Sequence, residues 1–129
     1  MSAIPDTSNS TDTSNSVQGR VVIVTGGGTG IGRAYAKHFA ANGAIPVIAE
    51  INGQAGSSVA AEIKADGGRA LAVQTDVTDE ESVAETIARA MEEFGRIDVL
   101  LNNAAIFSTI NRSRFEDISR EDWTKVLDV

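Results

Sequence analysis

Short runs of β-branched residues alternate with longer amphipathic stretches along most of the chain. The first run, RVVIVT at residues 20–25, is almost unbroken in its apolar character, which is typical of a strand buried on both faces of a parallel sheet. In the stretch that follows, Ile31, Tyr35 and Phe39 recur at four-residue spacing, and Gly43 stands where a helix commonly ends. The pattern therefore predicts a strand followed by a helix that packs through these three residues.

The same alternation continues to the end of the chain. Thr78 with Glu81, and Ser119 with Asp122, stand at the spacing of residues that cap a helix N-terminus. The remaining predicted elements are strands at 45–50, 70–74 and 99–103, and helices at about 55–65, at 78–94 and from 119 onward. The predicted inward faces of the last two helices are Val83, Ile87, Met91 and Phe94, and Trp123, Val126 and Leu127.

Four strands connected through helices indicate right-handed βαβ crossovers and a parallel sheet covered on both sides. We therefore predict a doubly wound, Rossmann-like α/β domain over residues 19–129. Residues 1–18 contain the repeated segment DTSNS and almost no apolar side chains, so they are predicted to be a disordered polar tail.

Composition and charge exclude several classes of function. Hydrophobic residues make up 42% of the chain, but the longest apolar runs are far too short to span a bilayer. A net charge of −7 has the wrong sign for binding nucleic acid. With no cysteine and one histidine, neither a disulfide framework nor a metal site is expected. The polar tail lacks the features of a secretory or organelle signal, which favours a cytoplasmic protein.

A glycine-rich segment, TGGGTGIG at residues 25–32, stands where the first strand turns into the first helix. Glycines there allow a pyrophosphate to approach backbone N–H groups, and the helix N-terminus adds a partial positive charge. The glycines follow the pattern TGxxxGIG rather than GxGxxG, and no Lys-Ser or Lys-Thr pair follows them, so a triphosphate-binding loop is excluded. A glycine-rich turn without a ligand remains the alternative. The residues predicted to form this anion site are Thr25, Gly26, Gly28, Thr29, Gly30, Ile31 and Gly32.

Glu50 ends the second predicted strand, eighteen residues after Gly32. In a dinucleotide-binding fold an acid at this place accepts hydrogen bonds from the ribose hydroxyls of the adenosine. A carboxylate repels a 2′-phosphate, and residues 51–54 contain no Lys or Arg to bind one. NAD is therefore favoured over NADP.

From residue 20 to residue 129 the chain resembles the short-chain dehydrogenase/reductase family, on TGxxxGIG, on Asp76-Val77 after the third strand and on NNAA at 102–105. The resemblance implies that Asp76 and Val77 contact the adenine ring, and that Asn103 and Ala104 line the ribose of the cofactor. Without the resemblance, an ordinary aspartate between strand and loop is the favoured interpretation of Asp76. Ala105 departs from the glycine usual in the family and adds a methyl group near the cofactor.

The same resemblance indicates that the chain is the N-terminal part of a longer enzyme. Residues 123–129, WTKVLDV, are similar to the family's fourth helix, which leads into a catalytic asparagine that would follow directly. Family members also use a tyrosine and a lysine four residues apart, whereas Tyr35 is the one tyrosine here and is followed by Phe39 at that spacing. No catalytic residue is expected on this chain. A fourth strand left as an apolar sheet edge points to the same truncation.

The expected function is hydride transfer between NAD and a small alcohol or ketone by the complete enzyme. The family commonly forms dimers or tetramers, which implies a homo-oligomer for that protein. Two alternatives stay open, a non-catalytic NAD-binding module and a methyltransferase that binds S-adenosylmethionine through a similar loop. The loop at 107–119 either lines a substrate entrance or is a surface connection.

Overall fold

The computed structural model describes residues 16–129, and every predicted strand and helix is present within two residues of its expected ends. The strands are β1 (Val21–Thr25), β2 (Ile45–Glu50), β3 (Leu71–Gln74) and β4 (Val99–Leu101). The helices are α1 (Gly30–Ala41), α2 (Gly53–Ala65), α3 (Glu80–Phe94) and α4 (Arg120–Asp128), and one 3₁₀ turn (Phe115–Asp117) precedes α4.

Most of the predicted polar tail lies outside the described residues. Val17, near its end, packs against the core, and its carbonyl accepts a hydrogen bond from Arg20 N–H at 3.0 Å. Within residues 16–129, no helix combines the length and the apolar character needed to cross a bilayer.

The four strands are all parallel and lie in the order β3-β2-β1-β4, which confirms the predicted doubly wound arrangement. In the register, Thr25 lies opposite Ala49, and Glu50 lies opposite Gln74. Because the strands are parallel, their carboxyl ends share one edge of the sheet, where ligands bind in open α/β folds.

The two central strands, β1 and β2, hold the core. Every residue of both strands is buried, because side chains on alternate positions meet helices on both faces of the sheet. Val24 and Ile48 lie in the cluster that includes residues of α1 and α2, whereas Ile23 and Val47 lie in the cluster that includes Ala90 of α3. This two-sided cover fixes the ends of β1 and β2, which carry the candidate site.

The predicted inward face of α1 is wrong at two of its three positions. Ile31 and Tyr35 are 68% and 44% exposed, whereas Gly32 and Ala36 are buried and Phe39 is half-buried. The reason is close packing: a Cβ added at Gly32 would lie 2.1 Å from the carbonyl oxygen of Gly26, so α1 approaches the strand-to-helix turn through its smallest residues.

Helix α3 deviates in the same way. Thr86 and Ala90 are its buried residues, while Ile87 and Met91, predicted as part of its inward face, are exposed. Its N-cap is Asp79, whose carboxylate accepts from Glu81 N–H at 3.1 Å; Thr78, the predicted cap, instead donates to Asp76.

The edge beyond β4 is apolar and open. Leu100 is 56% exposed, and α4 contributes no buried residue, so Trp123, Val126 and Leu127 do not form the inward face predicted for them. Ser119 does cap α4 as predicted, since its hydroxyl accepts from Asp122 N–H at 3.1 Å.

Candidate functional site

A cleft of about 520 Å³ lies at the carboxyl edge of the sheet, between the start of α1, the ends of β2 and β3 and the loop after β4. Its volume is in the range of small-molecule sites. The predicted site residues that line it are Gly26, Thr29, Gly30, Ile31, Gly32, Glu50, Val77, Asn103 and Ala104. The other three predicted residues do not line this cleft: Thr25, Gly28 and Asp76. Thr25 and Gly28 are hydrogen-bonded to residues that line it, and Asp76 is the sequence neighbour of one.

The N-terminus of α1 offers unpaired donors to this cleft. Arg33 N–H bonds to the carbonyl of Thr29 at 3.1 Å, whereas the N–H groups of Gly30, Ile31 and Gly32 have no acceptor among the described residues. The side chain of Thr29 makes no capping bond either. A Cβ added at Gly30 would meet no atom within 4 Å, so the space beside this backbone is open. The geometry fits an anion of the phosphate type, which such N–H groups and the helix dipole favour.

Glu50 lies in the same cleft with its carboxylate fixed from two sides. Its Oε1 accepts from Gly28 N–H at 3.0 Å and its Oε2 from Asn52 N–H at 3.1 Å, and the residue is buried. Each carboxylate oxygen can accept more than one hydrogen bond, so one bond to each leaves room for further donors such as hydroxyl groups. None of the described lysines or arginines lines the cleft to offset this negative charge.

Thr25 joins the ends of β1 and β4 beneath the cleft. Its hydroxyl donates to the carbonyl of Leu101 at 3.3 Å and accepts from the N–H groups of Asn103 and Ala104 at 2.9 and 3.0 Å. The side-chain amide of Asn103 in turn donates to the Thr25 carbonyl at 3.1 Å. These bonds fix the loop after β4 against the glycine-rich turn, so Thr25 and Asn103 shape the wall of the cleft. Ala105, the predicted departure from glycine, also lines it.

Asp76 sits beside the cleft rather than in it. Its Oδ1 accepts from the hydroxyl and the N–H of Thr78 at 2.6 and 2.9 Å, and the bond from that hydroxyl is the main cause that lowers the pKa of Asp76. Its own N–H donates to the hydroxyl of Ser82 at 2.9 Å. A neighbouring hollow contains Asp76 together with Ile51 and others, while Val77 faces the main cleft. Contact of either residue with an adenine ring stays a prediction.

Sequence reasoning missed several residues of the cleft wall. Ala49, Ile51, Thr75 and Ser108 line it, and so does Phe107, from the loop left open as a substrate entrance or a surface connection. Ile51 and Thr75 are the direct neighbours of Glu50 and Asp76 in the sequence. A prediction that assigned the whole end of each strand to the cleft, and not one residue of it, would have included both. The same loop forms a second, more apolar hollow of about 720 Å³ against α4.

Comparison with known proteins places this geometry in one family. The chain is 44% identical over 115 residues to 2,5-dichloro-2,5-cyclohexadiene-1,4-diol dehydrogenase LinX of Sphingobium indicum, covering 89% of this chain and 45% of that protein. It is 41% identical to the short chain dehydrogenase/reductase astE of Aspergillus oryzae, covering 88% and 43%. The chain thus spans less than half the length of these relatives.

A solved structure agrees with both. The crystal structure of 3-ketoacyl-(acyl-carrier-protein) reductase from Brucella melitensis complexed with NADH matches with a TM-score of 0.80 and 35% identity, over 88% of this chain and 45% of that one. The family described as short chain dehydrogenase matches residues 20–129. The chain belongs to the short-chain dehydrogenase family.

Proposed function

We propose that this chain is the cofactor-binding part of an NAD-dependent oxidoreductase that transfers hydride between the nicotinamide and a small alcohol or ketone. The observation that carries the proposal is the convergence, in one cleft, of the unpaired N–H groups at the start of α1 and the fixed carboxylate of Glu50. The first suits a diphosphate and the second suits ribose hydroxyls. NADH in the related Brucella structure supports the same class of cofactor.

The preference for NAD over NADP follows from charge at Glu50. A 2′-phosphate would approach a buried carboxylate that already accepts two backbone hydrogen bonds, and no Lys or Arg among residues 16–129 lines the cleft to offset the repulsion. The ribose of NAD instead presents hydroxyl groups that donate to it. Hydrogen bonds to a charged group contribute about 1.5–3 kcal/mol, or roughly 10- to 150-fold in affinity.

The chain by itself is proposed to be catalytically inactive. Tyr35 is half exposed on α1, outside the residues that line the cleft, and Phe39 follows it where the family places a lysine. We infer that the acid/base groups come from parts of a longer, cytoplasmic and oligomeric protein, and that the isolated chain binds NAD weakly. When bound, the nicotinamide supplies or accepts the hydride; the residues described here bind and orient the dinucleotide.

The proposal is tested by calorimetric titration of the intact protein, by which we mean the proposed longer protein that contains this chain, with NAD and with NADP. The wild type is expected to prefer NAD, and Glu50→Ala is expected to lose at least about tenfold of that preference. Glu93→Ala, which removes an exposed acid of α3, is the matched control and should leave the preference unchanged. A wild type that binds neither dinucleotide would overturn the proposal, and an unaltered preference in Glu50→Ala would remove Glu50 from the ribose site.

The second candidate is a module that binds NAD without turnover, because the same cleft would hold the dinucleotide whether or not catalytic groups accompany it. Turnover separates the two functions. If the protein is an oxidoreductase, the intact protein is expected to reduce NAD in the presence of one of a panel of small alcohols, followed by the absorbance of NADH. Such turnover would contradict the function as a binding module.

A further inference from the structure

Gly28 differs from the other glycines of the turn in what it contacts. It is buried, it does not line the cleft, and its φ is not positive, so its backbone conformation does not require glycine. A ligand therefore has no direct need of Gly28. The explanation for glycine at this position must lie in what surrounds it.

The side chain of Glu50 occupies the space beside Gly28. A Cβ added at Gly28 would lie 2.6 Å from Cγ of Glu50 and 2.8 Å from its Oε1, both shorter than the distances that real side chains tolerate. Gly28 also supplies the N–H that bonds to this Oε1 at 3.0 Å in a buried setting. One residue thus provides both the room for the glutamate and one of its two backbone donors.

A second glycine of the fold also lies close to the Glu50 side chain. A Cβ added at Gly56 of α2 would lie 3.2 Å from the Cβ of Glu50, so the glutamate packs closely against the backbone at Gly56 as well as at Gly28. A methyl group at position 28 would push the carboxylate out of this slot, with loss of the Gly28 bond. Rotation of the glutamate would change the position of both of its oxygens.

We propose that Gly28 is a specificity-determining positioning residue, which fixes the Glu50 carboxylate where it discriminates between the ribose hydroxyls of NAD and the 2′-phosphate of NADP. The inference rests on the proposed function of the cleft. It assigns Gly28 to cofactor selection instead of to diphosphate access, which the sequence pattern alone predicted. The selectivity then depends on a pair of residues, 28 and 50, that face each other across the buried contact.

The test compares Gly28→Ala with Gly27→Ala in the intact protein. A Cβ at Gly27 would meet Val24 and Ile48 at 3.0 Å, without a Glu50 atom among its nearest neighbours, so Gly27→Ala crowds the same turn but leaves the glutamate alone. Gly28→Ala is expected to lower the ratio of the NADP to the NAD dissociation constant by roughly tenfold, the equivalent of one charge-assisted hydrogen bond. Gly27→Ala should weaken both cofactors alike and keep the ratio.

A double variant isolates the contact itself. Glu50→Ala removes the three atoms that a Cβ at Gly28 would contact. The double variant, Gly28→Ala with Glu50→Ala, should therefore have nearly the same cofactor selectivity and the same thermal unfolding midpoint as Glu50→Ala alone. If the wild type prefers NAD but Gly28→Ala retains that ratio, or if Gly27→Ala shifts it equally, the inference fails while the proposed function stands. A wild type without preference for NAD defeats the proposed selectivity first. The inference is also overturned if the double variant lowers the thermal unfolding midpoint by the sum of the two single changes. This comparison holds even where the single Gly28 variant folds poorly.

Discussion

Replacing the hydroxyl of Thr25 with a methyl group, in Thr25→Val, should destabilise the protein although the side chain keeps its shape. The hydroxyl makes three hydrogen bonds, and two of them satisfy the N–H groups of Asn103 and Ala104. Valine leaves both donors without their acceptor. A donor left unsatisfied costs about 1–3 kcal/mol when buried.

The magnitude follows from where these donors lie. Asn103 and Ala104 are half-buried, so water replaces part of each lost bond and the lower end of that range applies to each. The higher strand propensity of valine offsets only a part, because the whole strand scale spans about 1 kcal/mol. The net expectation is a loss of about 2 kcal/mol, a substantial share of the roughly 5–15 kcal/mol typical of folded proteins.

Urea unfolding followed by far-ultraviolet circular dichroism measures this loss. Thr25→Ser is the matched control, since it keeps the hydroxyl and removes only a methyl group, at a cost of about 1 kcal/mol. The order wild type, serine, valine is expected, with unchanged slopes against urea. A valine variant at least as stable as the serine variant would refute the view that the hydroxyl, and not the packing of Thr25, joins β1 to the loop after β4.

Two further predictions concern groups outside the cleft. Thr86→Val should cost about 1–3 kcal/mol in urea unfolding, because it removes the buried partner of the Thr75 hydroxyl at 2.7 Å. A Thr86→Val variant as stable as the wild type would contradict this prediction. The pKa of Asp98 lies below its ordinary 3.8, first because of the hydrogen bond from Arg96 and then because of the N–H of Val21. Its contribution to stability is therefore complete above pH 3.8 and is lost as the pH falls through the lower pKa of the folded state. Asp98→Asn should therefore reduce the fall of the urea unfolding midpoint on acidification. A midpoint that falls with pH as steeply as in the wild type would refute the role of Asp98.

The two central strands were predictable because burial on both faces leaves a clear mark in the sequence. The runs at 21–25 and 45–50 consist largely of apolar residues. In an α/β domain, a nearly continuous apolar run of five or six residues is typical of a strand that is buried on both faces. Helices between them then allow few arrangements of the sheet. Glu50 could be found for the same reason, since it is the acid that ends the second of these runs.

The buried faces of the helices were harder to predict. The sequence pattern identifies a buried face by its large apolar side chains, whereas a helix that packs closely on the sheet buries small residues. On α1 the buried positions are Gly32 and Ala36, and on α3 they are Thr86 and Ala90. Hydrophobicity ranks these residues below the exposed Ile31. Only the distance between helix and sheet explains their burial, and that distance is a property of the assembled fold.

The glycine-rich turn shows the same limit within the candidate site. Its spacing predicts one purpose for all of its glycines, yet their neighbours differ: Gly30 borders open space, Gly32 packs against the carbonyl of Gly26, and Gly28 packs against Glu50. Glu50 lies 22 positions from Gly28 along the chain, so no local pattern can reveal that contact. A glycine motif can thus consist of positions under separate constraints, and we expect a substitution at each to act through a different one: the left-handed backbone at Gly30, whose φ is +53°, close packing of the fold at Gly32 and, on our proposal, cofactor choice at Gly28.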